Sequence, residues 1–199
     1  MVVVVVVLAV RALGEEPSMS SGSDGEAPHR IEIARHDPPT RPDLSEYAGT
    51  YVYAGTDAER AAIKASVDRA TDRMFGIVIA RGELMKRSEI RPSYTIRFEE
   101  PGQVSVETPG FPPECAPLDG TEVELRTKYG DVVKNSQRFV DGTLLQSGRT
   151  AEGSGSTRFR LLQDGNTLLV TRTSRSPRLP GTVEYTLTYV RRQETRASR

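Results

Sequence analysis

The sequence predicts an all-β protein: an antiparallel up-and-down meander closed into a barrel of nine or ten strands, with one or two helices inserted after the first strand. Three observations predict it. From residue 93 to residue 191, short runs rich in Val, Thr, Tyr, Phe and Leu alternate apolar with polar positions, the period of strands that bury one face. Turn dipeptides separate these runs at intervals of roughly 8 to 12 residues, the spacing of β-sandwiches and barrels. An open meander of that length would leave two unpaired edges, which closure removes.

The chain opens with MVVVVVVLAV, an apolar run well short of the roughly 20 residues of a membrane-spanning helix. Residues 1–13 fit the apolar part of a truncated secretory signal, without its positive n-region or an A-x-A cleavage site; the alternative is a low-complexity start with no targeting role. The expected location is accordingly secreted or periplasmic, with cytoplasmic as the alternative. Residues 14–42 are rich in Gly, Pro, Ser and charge and read as a flexible linker, which holds both histidines, His29 and His36. Residues 43–192 form the single folded domain, and 193–199 a disordered tail.

Within the domain, the Tyr- and Val-rich run at 49–54 is the first strand. Thr56 and Glu59 then have capping-box spacing, and Ile63, Val67, Ala70 and Met74 follow at helical steps, predicting a helix over 57–74. A second, shorter helix is expected around 78–88, ended before Pro92. Strands follow over 93–100, 103–108, 121–128, 131–140, 143–150, 156–163, 166–174 and 182–191, and Cys115–Leu118 offers one more. The apolar face of these runs includes Tyr94, Ile96, Val104, Val106, Val133, Phe159, Leu168 and Val170, and should point inward. Arg97, Glu122, Glu124, Arg126, Lys128, Arg158 and Arg160 alternate with them as a solvated exterior.

This layout, with Leu44 ahead of Gly49, Thr50 and Tyr51, a helical insertion and a closing strand at Tyr185–Arg192, resembles the calycins: the lipocalins and the fatty-acid-binding proteins. The resemblance covers about residues 43–192. The helix after the first strand is closer to fatty-acid-binding proteins, while the Gly-x-aromatic start is shared with lipocalins. The Ser-Pro-Arg-Leu-Pro stretch at 176–180 also resembles one that precedes the closing strand in small lipocalin-like bacterial proteins. Two features depart from the pattern: Tyr51 stands where lipocalins carry Trp, and the closing strand lacks the Arg-x-Tyr carboxylate clamp of fatty-acid-binding proteins.

The inward register also places Asn135, Gln137, Gln146 and Arg172 among apolar neighbours, with Tyr185 and Tyr189 on the closing strand. Convergent polar groups in an apolar interior are how small-molecule sites orient a ligand. Two readings follow: these six residues hold a ligand, or they satisfy one another inside a filled barrel. Arg172 has no acidic residue on the same face of the neighbouring strands, so it needs an anion, water or a bulge that turns it outward.

Catalysis is poorly supplied, and no enzyme is expected. The domain lacks histidine for acid–base work or for binding haem or zinc. Cys115 has no basic partner in view and reads as a small hydrophobe, and the glycines at 153–155 read as a hairpin turn. Lys plus Arg and Asp plus Glu are both 27, which gives no electrostatic case for nucleic acid or an anionic membrane. The expectation is therefore a barrel that binds a small, mostly apolar molecule with a polar or anionic end, without cofactor or metal. Its alternative is a structural or interaction barrel with a filled interior.

Overall fold

The computed structural model describes residues 44–193 apart from 73, 75, 76, 100, 101, 128 and 129. The leader expected over 1–13, the linker over 14–42 and, apart from Gln193, the tail over 193–199 lie outside the described residues, as does Lys128. A 3-10 turn at Leu44–Tyr47 leads into β1 (Gly49–Tyr53), α1 (Asp57–Ala70) and α2 (Ile77–Arg87). Nine further strands follow: β2 (Ser93–Glu99), β3 (Gln103–Glu107), β4 (Glu114–Pro117), β5 (Val123–Arg126) and β6 (Val132–Val140), then β7 (Thr143–Thr150), β8 (Gly153–Leu161), β9 (Thr167–Arg175) and β10 (Val183–Arg191).

All ten strands form one antiparallel sheet in the order β4-β3-β2-β1-β10-β9-β8-β7-β6-β5. Because β1 pairs with both β2 and β10, the first and last strands meet and the sheet curls into a nearly closed barrel. The seam falls between β4 and β5, neighbours in the chain that do not pair. There β4 faces β6 instead, held by a hydrogen bond from Gln137 Nε2 to the Glu114 carbonyl (2.9 Å) and by a bridge between Asp119 and Arg138.

The turns follow their chemistry. Asp141 and Gly142 both have positive φ, 48° and 68°, the conformation of a two-residue hairpin matched to strand twist. The glycines at 153–155 differ from expectation. They are not a turn but the start of β8, with Thr150 facing Gly153 across the hairpin. A Cβ on Gly153 would meet the Arg175 carbonyl at 2.5 Å, so the strand needs glycine there for close backbone approach.

Two helical expectations are also corrected. Helix α1 ends at Ala70 rather than Met74, because beyond it the backbone tightens to three-residue bonds, Asp72 N to the Arg69 carbonyl (3.4 Å) and Met74 N to the Thr71 carbonyl (3.2 Å). The capping box does not form, since Thr56 makes no side-chain cap. Glu59 reaches β10 instead, accepting from Thr188 N (3.1 Å) and Thr188 Oγ1 (2.7 Å). The physical reason is the shortness of β1, which covers β10 only over Tyr189–Arg191. Exposed backbone donors farther along β10 need partners, and α1 supplies them: Ser66 Oγ accepts from Glu184 N at 2.8 Å. Ile63, Val67 and Ala70 are buried beneath the helix, and Met74 packs half-buried beyond its end.

The opposite end is closed by Tyr47, whose hydroxyl donates to the Gly142 carbonyl (2.5 Å) and accepts from Leu161 N (3.0 Å). Arg191 locks this segment, donating to the carbonyls of Glu46, Ala48 and Gly165 and to the Tyr51 hydroxyl, with its guanidinium 4.9 Å from the Tyr51 ring. Between the ends, Tyr53, Tyr189, Tyr94 and Phe159 form a chain of edge-to-face rings with centroids 5.1–5.6 Å apart. The apolar strand faces lie inside as the alternation predicts, with Val123, Leu125, Phe98, Phe139 and Leu161 half-buried near the rims.

Candidate functional site

Gln137 of β6 faces Gln146 of β7, which faces Thr157 of β8, which faces Arg172 of β9, which faces Tyr185 of β10. One residue from each of five consecutive strands thus stands at one height of the inner wall, a polar belt around about half the barrel. The next row toward the Tyr47 end is apolar: Phe139, Leu144, Phe159, Val170 and Leu187. The row on the other side is small: Asn135, Gly148, Gly155, Ser174 and Val183.

All six residues singled out from the sequence are buried, between 0% exposed for Gln137 and Tyr189 and 7% for Tyr185. Arg172 keeps strand register and points inward. The bulge that would have turned it outward does not occur.

These side chains do different work. Tyr185 donates to the Ser88 carbonyl (3.4 Å) and Tyr189 to the Arg91 carbonyl (3.0 Å), so both phenols hold the connection between α2 and β2. Burial pushes Tyr189 well above the ordinary tyrosine range, and neighbouring Tyr94 is raised for the same reason, partly offset by Arg172 and Arg91. The amides are left otherwise. Both side-chain atoms of Asn135, Oε1 of Gln137 and Nε2 of Gln146 have no hydrogen-bond partner among the described residues. An unmade bond on a buried polar atom costs about 1–3 kcal/mol, so three such side chains on adjacent strands are an expensive arrangement for a purely structural wall.

Sequence reasoning missed Arg91, Phe111, Glu114 and Thr157. Arg91, only 5% exposed, lies in the connection before β2 and has no alternation to mark it. Its guanidinium stacks 3.3 Å from the centre of the Phe111 ring, in the strap between β3 and β4. Glu114 brings a carboxylate to the cavity that holds Arg91 and Arg172. It comes from β4, across the barrel, where inspection of neighbouring strands could not find it. Thr157 was legible as an inward position and stands in the belt between Gln146 and Arg172.

Two small spaces lie against these groups. One, about 10 Å³, is bordered by Arg91, Tyr94, Phe111, Gln146, Thr157 and Arg172. The other, about 70 Å³, is bordered by Phe111, Pro113, Glu114, Val133 and Asn135. Phe111 and Glu114 border both. Among the described residues no group of His, Cys, Asp and Glu could hold a metal ion, and no helix is long and apolar enough to cross a membrane. Cys115 is half-buried on β4, opposite Ser105.

No protein-family model matches the chain, and no curated protein matches it in sequence. Solved structures do match in fold. Lipid binding protein 8 of Caenorhabditis elegans superposes with a TM-score of 0.50 at 11% identity, over 75% of this chain and 98% of that one. A variant of the fluorescent protein UnaG gives 0.49 at 15% identity, over 76% and 99%. The zebrafish ileal bile acid-binding protein complexed with cholic acid gives 0.47 at 11%, over 74% and 99%. With the strand order and the helical insertion after β1, the chain shares the barrel fold of lipid binding protein 8.

Proposed function

We propose that this barrel binds a small, mostly apolar molecule whose polar or anionic end is held by the belt of Gln137, Gln146 and Arg172 together with Asn135. The carrying observation is the set of buried amide atoms on adjacent strands that have no hydrogen-bond partner among the described residues, with Gln146 and Asn135 bordering the two interior spaces. Such atoms find compensation in a bound polar group or in water. The apolar row of Leu144, Phe159, Val170 and Leu187 next to the belt suits the ligand's apolar part. The fold shared with lipid binding protein 8 supports a barrel interior as a binding chamber.

Size shapes the proposal. Pockets for drug-sized ligands measure roughly 300–1,000 Å³, whereas the two spaces measure about 10 and 70 Å³. A ligand of a few heavy atoms enters with little rearrangement, and a longer one requires the Phe111 strap to move aside. The same volumes favour a second reading, a filled structural barrel.

Titration with a series of straight-chain carboxylates, followed by calorimetry and native mass spectrometry, separates the two. Saturable one-to-one binding that Arg172→Leu and Gln146→Leu each weaken about tenfold supports the chamber. No saturable binding at any chain length, with both variants folded, supports the filled barrel.

A further inference from the structure

The outer face of the barrel carries a second arrangement that the interior reading does not use. Ser136 of β6 faces Ser147 of β7, which faces Ser156 of β8, which faces Thr173 of β9, making a row of hydroxyls on the outside of the wall. Such a row, continued to β10, spans about 19 Å at the usual strand spacing. Long side chains flank it on both sides. Lys134, Arg149 and Arg175 stand in the row on one side, and Arg158 in the row on the other. Short residues between long ones make a trough, open to solvent and about 360 Å³ in volume.

The charges are unevenly spent. Arg149 is held by Glu122 in a two-pronged pair at 2.6 and 2.7 Å. Lys134, Arg158 and Arg175 have no ion-pair partner among the described residues. Glu184 stands beside Thr173 at the β10 end of the row and accepts from its Oγ1 at 3.0 Å. Four cations therefore border the trough against two carboxylates, Glu122 and Glu184. Arg175 and Arg158 lie on opposite sides of the Ser156–Thr173 pair, and both border the trough. Guanidinium groups present planar forks of donors matched to oxyanions, and hydroxyls add donors beneath.

We propose that this outer trough binds a phosphate group, free or carried by a small hydroxylated molecule, between Arg158 and Arg175 and above Ser156. The volume lies within the range of small-molecule sites, and the serine floor suits the hydroxyls of a carrier. Charge balance over the whole chain hides the site, because the excess is local.

The test titrates the full chain with glycerol phosphate, inorganic phosphate and glycerol at low and high salt, read by calorimetry and by backbone NMR shifts. Saturable binding of a phosphate is expected, with shifts at 147, 156 and 173, weakening with salt and becoming about tenfold or more weaker in R158Q/R175Q. Tighter binding of glycerol phosphate than of inorganic phosphate assigns the site to a carried phosphate, and equal binding assigns it to the free anion. Arg172→Leu, which alters only the interior, should leave this binding unchanged. Binding equal in wild type and a folded R158Q/R175Q, or absent altogether, overturns the proposal.

Discussion

At Gln146 a polar side chain sits 1% exposed with its Nε2 unbonded, so the residue weakens the folded state unless something occupies the interior. Replacing it with Leu removes the unsatisfied donor at similar volume. The variant should be equally stable or more stable by about 1–2 kcal/mol in urea unfolding, while losing interior ligand affinity. Tyr47→Phe should do the reverse. It strips the Gly142 carbonyl and Leu161 N of their shared partner and should cost about 1–3 kcal/mol. The tyrosines also set the alkaline limit. Burial holds Tyr51 up to about 12 against an ordinary 10.0, so the folded form keeps a proton that the unfolded form releases. That stabilising difference is complete below pH 10.0 and disappears as pH rises through about 12, with Tyr94 and Tyr189 acting in the same direction. Phenolate absorbance from these rings should therefore appear together with the loss of sheet circular dichroism, and an earlier rise without unfolding would contradict the burial. The inward placement of Asn135, Gln137, Gln146 and Arg172 was legible, because a strand's period of two fixes the face of every residue once the apolar ones are placed. Arg91 and Glu114 were not, since one lies in an irregular connection and the other joins the site only through curvature of the wall.

Helix α1 is secured both by its apolar stripe and by what it does for β10. Glu59 and Ser66 satisfy the Thr188 and Glu184 amides that the short β1 leaves over. Glu59→Ala should cost about 1–3 kcal/mol. Gly55→Ala should act on the same tether, because its Cβ would fall 1.8 Å from Glu59 Oε2 and push the carboxylate aside. In a double-mutant cycle the two losses should be far from additive; independent losses would show that Glu59 does not carry the tether. The sequence pattern Thr56-x-x-Glu59 pointed to a cap because local spacing is blind to a strand more than a hundred residues away. The glycines at 153–155 misled for a related reason: what demands them is the approach of β9, a neighbour in space.

Over the whole molecule, the ring is continuous except where β4 and the residues just after it meet β6, at the Gln137–Glu114 bond and the Asp119–Arg138 bridge. Backbone amides of β4 should therefore exchange with solvent sooner than those of β9 and β10, which are paired on both sides. Hydrogen-exchange mass spectrometry checks this, and uniform protection around the ring would mean that the seam is tighter than its bonding suggests. The closed meander itself was readable from the turn spacing and the edge argument, and the position of the seam was not, because it depends on how far the wall bends before β4 reaches β6. One consequence of the belt concerns adaptation. Since Gln137, Gln146, Thr157, Arg172 and Tyr185 occupy one level on five separate staves, exchanging those five side chains would reset the polarity of the interior while every hairpin stayed as it is.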